Sequence, residues 1–211
     1  MSVLVFIETK DGRLTKAAFE AVSYGSKIGA TTVVTYGNAD AASLAELGNY
    51  GATKVLVNRD VEGNDEQQLT KLVIAAASEI GADTVVLIQD QIGKAVGPRV
   101  AARLGAGHAS GAIAIPETGS GFVVKTNVFS GKAYANVAIH TDKKVISLIS
   151  NAVPPVVTGG SAEVVDFAAD LGVAGIKVKE IKGQGEGVPL PEAELVVSAG
   201  RGLKGPENWG M

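Results

Sequence analysis

One junction occurs three times in this chain and constrains its fold more than any other feature. A stretch with helical period ends in Gly-Ala and runs straight into a β-rich segment, at Gly29-Ala30-Thr31, Gly51-Ala52-Thr53 and Gly81-Ala82-Asp83. Glycine adopts the left-handed conformation that closes a helix, so each junction predicts a helix C-terminal cap with a strand directly after it. The strands are Thr32-Val33-Val34-Thr35, Val55-Leu56-Val57 and Thr84-Val85-Val86-Leu87-Ile88. They are continuously apolar rather than alternating, the pattern of strands covered on both faces. The opening run, Met1 to Glu8, reads the same way. It lacks a basic leader and is far too short to span a bilayer, so it is expected to be a buried strand and not a signal peptide.

Between the strands the apolar period is helical. Leu69, Leu72, Val73, Ala76, Ala77 and Ile80 recur at spacings of three and four, one face of a helix. A helix expected over residues 14–28 buries a stripe of small residues, Ala17, Ala18, Ala21, Val22, Gly25 and Ile28. After Ile88 a turn leads to a helix expected from Gly97 to Leu104, with Pro98 in its first turn. Strand and helix thus alternate four times. The fold class that follows is α/β, a mostly parallel sheet with right-handed crossovers and helices on both faces.

The pattern changes near residue 112. Apolar runs at 112–115, 121–128, 133–140 and 144–149 are joined by hairpin-length connections rich in turn residues. The first run is expected to extend the parallel sheet and the others to form a small antiparallel β meander. Pro154-Pro155 breaks the chain, and a weakly helical stretch is expected from residue 161, capped by Ser161 at the end of an ordinary Thr158-Gly159-Gly160 loop. Glycine and proline dominate residues 183–192, a linker by composition. The expected organisation is an α/β domain over 1–182, the linker at 183–192, and at 193–211 the first strand and glycine turn of a second domain.

Composition narrows the function classes. The 211 residues are 46% hydrophobic and 19% charged, with a net charge of −3, which lacks the basic footprint of a nucleic-acid binder. With no cysteine, disulfides, thiolate nucleophiles and cysteine-ligated metals are excluded. The first strand is not followed by G-x-G-x-x-G, nor does a G-x-x-x-x-G-K-[ST] loop occur, so neither common phosphate-binding fingerprint is present. Gln89-Asp90-Gln91-Ile92-Gly93-Lys94 follows a central strand, where open sheets bind ligands. It reads either as a solvated connection or as a phosphate cradle of backbone amides with Lys94 beside it. His108 and His140 stand apart, without metal-ligand spacing, and are expected to be structural. Arg201 lies between Gly200 and Gly202 just after an apolar run. Glycines let backbone turn close to a ligand, and a guanidinium fork suits phosphate or an anionic ring, although a solvated turn accounts for the same residues.

The segment Val196-Val197-Ser198-Ala199-Gly200-Arg201-Gly202-Leu203-Lys204-Gly205-Pro206-Glu207-Asn208-Trp209 closely resembles the signature of electron transfer flavoprotein alpha subunits, departing at Ala199, where glycine is usual. Gly93-Lys94, Pro98-Arg99-Val100-Ala101-Ala102-Arg103-Leu104 and Asn127-Val128-Phe129-Ser130-Gly131-Lys132-Ala133 resemble the same family. The resemblance implies an adenine-nucleotide-hydrolase-like amino-terminal domain from the alpha subunit of a heterodimer. It also implies a beta subunit as partner, dehydrogenases such as acyl-CoA dehydrogenases of fatty acid β-oxidation as donors, and a quinone oxidoreductase or other acceptor. Such a protein is an electron carrier rather than an enzyme, cytoplasmic in bacteria and in the mitochondrial matrix of eukaryotes, with no membrane insertion. Its cofactor is FAD, with Arg201, Gly200 and Gly202 as contacts. The FAD-binding domain is expected to need about 100 residues beyond Met211, so FAD is expected in the full-length subunit and not in this chain alone. The alternative is a stand-alone adenine-nucleotide-binding module.

Overall fold

A computed structural model describes residues 1–61, 65–119, 121–176, 178–180, 190, 193 and 195–210. The strands are β1 (Ser2–Phe6), β2 (Thr9–Lys10), β3 (Arg13–Leu14), β4 (Ala30–Tyr36), β5 (Ala52–Asn58), β6 (Thr84–Ile88), β7 (Gly107–Ala112), β8 (Phe122–Val128), β9 (Ala133–Ile139), β10 (Lys144–Leu148) and β11 (Glu163–Asp166). The helices are α1 (Lys16–Ser26), α2 (Ala41–Ala45), α3 (Glu66–Glu79) and α4 (Gln91–Leu104). Nine strands form one sheet in the order β11-β5-β4-β1-β6-β10-β7-β8-β9. It is parallel from β11 to β7 and antiparallel over β7-β8-β9. The α/β class is therefore as the alternating pattern requires.

Each central strand divides its side chains between two cores. Val3, Val5 and Ile7 face α1, while Leu4 and Phe6 face α3 and α4. Every one of these side chains is buried, and each contributes about 1.5–3 kcal/mol of apolar transfer free energy. Gly25 of α1 stands where a Cβ would lie 2.7 Å from Val5 Cγ2, so the small-residue stripe is what lets α1 lie close on β1.

Several elements differ from the sequence reading, each for a physical reason. Gly51 and Gly81 are left-handed, as is Gly105 after α4, but Gly29 is not. A side chain at Gly29 would run into the Met1 carbonyl, so close approach and not a cap selects glycine there. The helix α4 starts at Gln91, six residues before the expected start, because Asp90 caps it. Pro98 consequently lies in the helix interior, where its missing N–H leaves the Lys94 carbonyl without its usual donor. The strand β7 covers Gly107–Ala112 instead of 112–115, a small and polar sequence with no strand signature of its own. The strand β10 leaves the antiparallel set and inserts in parallel between β6 and β7. At residues 163–166 the expected helix is strand β11, parallel to β5, and Ser161 caps no helix among the described residues. The Thr158–Ser161 loop is held instead by Thr158 N–H on Asn49 O (2.7 Å) and Ala162 N–H on Ala45 O (3.0 Å). A side chain at Gly48 would collide with this loop.

The chain divides into two compact units, Met1–Ile181 and Lys182–Met211. The expected linker at 183–192 lies outside the described residues except for Leu190. In the second unit, the expected strand over 193–198 is not formed at Leu195–Ser198, which is exposed and has no strand to pair with among the described residues. Among the described residues no helix is long and apolar enough to cross a membrane.

Candidate functional site

After β1 the chain builds β4 and β5 on one side of it and β6 on the other, so the order reverses between β1 and β6. Open parallel sheets take ligands in the crevice beyond the carboxyl ends of the strands at such a reversal. Three side chains occupy it here: Glu8 just beyond β1, Tyr36 at the end of β4 and Asp90 beyond β6. The Tyr36 hydroxyl donates to Glu8 Oε2 at 3.3 Å, and its ring stacks on Phe6 with centroids 6.2 Å apart. Burial, and then the charge of Asp90, push the Glu8 carboxyl up to about 7, while the Tyr36 hydroxyl draws it back down. The Asp90 carboxyl is also raised, by the protein packed around it, against the lowering pull of the Gly93 and Ile92 amides and of Lys94. Glu8 and Tyr36 were not singled out from the sequence. The signal was available, since a carboxylate directly ends the apolar run of β1.

The first turn of α4 holds a side-chain cap where the phosphate-cradle reading places an anion. Asp90 Oδ1 accepts from the Gly93 amide at 2.7 Å, so the chain's own carboxylate occupies the helix terminus that a phosphate would use. The Lys94 amide bonds the Asp90 carbonyl at 3.0 Å, the first regular bond of the helix. Gly93 is required by packing, since a Cβ there would strike the Ile88 carbonyl oxygen. The crevice therefore presents carboxylates and a phenol, a surface that repels anions.

The two histidines are separate. His108 lies in β7, and its Nε2 is 2.9 Å from Ser147 Oγ on β10, beneath Gly97 of α4. The sequence spacing concealed this partner, because the insertion of β10 beside β7 creates it. Burial lowers the His108 pKa and favours the neutral ring. His140 is exposed. Among the described residues no group of three or more histidines and carboxylates could hold a metal ion.

Within the second unit, Arg201–Leu203 and Pro206–Asn208 form two successive 3-10 turns. The Asn208 side-chain amide donates to Leu203 O at 2.9 Å and ties the second turn to the first. Arg201 is exposed, and no ion pair or hydrogen bond engages its guanidinium among the described residues. A Cβ at Gly200 or Gly202 would meet nothing within 4 Å, so packing inside this chain selects neither glycine. An exposed guanidinium on a braced turn with bare backbone on either side is placed to meet an anionic group.

A family model, the electron transfer flavoprotein domain, matches residues 3–171, from β1 through β11 and beyond. The chain belongs to the electron transfer flavoprotein family. The "Electron transfer flavoprotein subunit alpha" of Bacillus subtilis is 31% identical over 98% of this chain and 66% of its own length. The protein of the same name from Syntrophomonas wolfei is 31% identical over 97% of this chain and 66% of its own. A "Probable electron transfer flavoprotein subunit alpha, mitochondrial" from Caenorhabditis elegans is 27% identical over 99% of this chain and 64% of its own. This electron transfer flavoprotein chain thus spans just under two thirds of the curated relatives it matches, and the matches run through Arg201 and its flanking glycines.

Proposed function

We propose that this chain is a subunit of a heterodimeric flavoprotein electron carrier. It passes electrons from dehydrogenases, acyl-CoA dehydrogenases among them, to a quinone oxidoreductase or another acceptor. The observation that carries the reading is the family match over nearly all of the first unit, joined to alpha-type relatives that align with almost the whole chain. The chain's part is that of scaffold and subunit interface, with no bond chemistry by its own side chains. Flavin, when bound, supplies the redox chemistry. Arg201 offers its fork to an anionic part of FAD, and Gly200 and Gly202 let the backbone come near. The compartment is the cytoplasm in a bacterium and the matrix in a mitochondrion.

The rival reading, an adenine-nucleotide-binding module, meets an obstacle in the crevice. The α4 terminus is filled by Asp90, and Glu8 adds a second carboxylate beside it. The test is flavin retention. The full-length subunit expected to carry this chain, with its FAD-binding domain, is mixed with the beta-type subunit and FAD, then passed through gel filtration while the visible flavin bands are followed. Retained flavin that falls about tenfold or more with Arg201→Ala supports the reading. Flavin that stays with the complex equally well after that substitution removes Arg201 from the site.

A further inference from the structure

The nine-stranded sheet ends in two edges that are handled differently. An open edge exposes a row of unpaired backbone N–H and C=O groups, and natural proteins blunt such edges with short strands, charges, prolines or bulges. The edge strand β11 follows that rule. It has four residues, and its Glu163 and Asp166 pair with Lys54 (3.3 Å) and Arg59 (3.2 Å). The edge strand β9 does not. It runs Ala133-Tyr134-Ala135-Asn136-Val137-Ala138-Ile139, seven residues without a charge or a proline. Its register with β8 is unbroken from Phe122↔Ile139 to Val128↔Ala133, so no bulge turns the edge away. Among the described residues no strand covers its outer side.

Two further observations mark the same edge. The turn entering β9 places Phe129, Ser130 and Gly131 all at positive φ (52°, 51° and 86°). Phe129 is 81% exposed and Tyr134 64% exposed, so the strained turn presents an aromatic ring that packing inside the chain does not use. The surroundings are basic. Lys125 holds its ammonium 4.7 Å from the Tyr134 ring centroid, Lys144 sits 5.3 Å from that of Phe122 on β8, and Lys132 directly precedes the strand. Asp142 is the sole carboxylate between residues 121 and 144 in a chain whose net charge is −3.

We propose that the open edge of β9 is a strand-addition site for an extended, acidic segment of the partner subunit. The inference rests on the heterodimer reading above. Backbone pairing along Ala133–Ile139 supplies the contact, Phe129 and Tyr134 supply apolar anchors, and Lys125 and Lys132 select acidic side chains. A second copy of this chain is the wrong occupant. Self-pairing would join two edges whose β8 and β9 strands carry Lys125 and no carboxylate, so the acidic complement is missing.

The test uses the whole chain and separately purified beta-type subunit. Amide hydrogen exchange is followed with and without that partner, and affinity is titrated for wild type, for Phe129→Ser/Tyr134→Ser, and for Lys125→Glu/Lys132→Glu. These side chains are exposed or half-buried, and unchanged thermal unfolding confirms that each variant folds. The expected result is slowed exchange across β9 on binding. Affinity falls about tenfold or more in the first variant, and in the second it falls with a weaker salt dependence. Binding of the partner with β9 exchange and both affinities unchanged overturns the site but leaves the heterodimer intact. Failure of the wild-type chain to bind overturns the heterodimer reading and the site with it. Protection of β9 that grows with the concentration of this chain alone makes a second copy the occupant and overturns the proposal.

Discussion

At the scale of single residues, Asp65 joins a helix start to a distant loop. Its Oδ1 accepts from the amides of Gln67 (2.9 Å) and Gln68 (3.4 Å), capping α3. Its Oδ2 accepts from Gly175 (2.7 Å) and Ile176 (3.2 Å), more than a hundred residues along the chain. Burial alone would raise this carboxyl, but the four amides outweigh it and hold it below the usual aspartate range. A lowered folded pKa means the charged form belongs to the folded state. The stabilisation is then fully present above the unfolded aspartate value of about 3.9 and is lost as pH falls through the lower folded value. Replacing Asp65 with Ala should cost about 2 kcal/mol in urea unfolding near neutral pH, and the cost should shrink in strong acid. It should also speed amide exchange at Gly175. A deficit that persists unchanged in acid would mean the loss is packing and not the carboxylate. The cap half of this role was open to sequence reading, since an aspartate stands directly before a periodic run. The other half was not, because nothing local in Gly175-Ile176 points to a partner on α3.

At the scale of elements, the outcome depended on whether an element's signal was local. The strands β1, β4, β5 and β6 are apolar runs bounded by turns, and they stand where periodicity put them. The strand β7 reads Gly-His-Ala-Ser-Gly-Ala, which no propensity favours, and it is a strand because β10 pairs along it. The strand β10 has a strand's sequence, but its place between β6 and β7 is a long-range choice that hairpin-length connections disguised. The helix α4 was half visible, since Pro98 drew the expected start inward and hid the Asp90 cap. Gly93 tests that cap. In an exposed helix Gly→Ala gains about 1 kcal/mol of propensity. Here a Cβ would strike the Ile88 carbonyl, which is backbone and cannot swing aside. Gly93→Ala should therefore destabilise by about 2 kcal/mol or more in chemical denaturation, opposite in sign to its propensity. A variant as stable as wild type would show that the first turn of α4 can shift freely from the end of β6.

At the scale of the whole molecule, parallel topology creates a crevice between β1 and β6, and side chains decide what it can hold. Topology alone, together with the absence of a glycine fingerprint, left phosphate binding open at residues 89–94. The electrostatics of the folded chain narrow it. Glu8 titrates at about 7, so above that pH it adds a full negative charge beside Asp90, whose carboxylate already fills the α4 terminus. An incoming phosphate must displace Asp90 from the Gly93 amide and approach two like charges, with Lys94 as the nearby cation that lowers the Asp90 carboxyl. Like charges in close contact disfavour one another by amounts that a single helix terminus, worth about 1 kcal/mol, does not offset. Calorimetric titration of the chain with AMP and with inorganic phosphate near pH 8 should therefore give no saturable heat. Neutralising the crevice with Glu8→Gln/Asp90→Asn should make any anion uptake stronger, because asparagine keeps an acceptor for the Gly93 amide while both charges are gone. A wild-type isotherm that saturates at micromolar AMP would mean that the carboxylates swing out of the crevice on binding. The first unit would then be a nucleotide site, and the scaffold role proposed for it would fail.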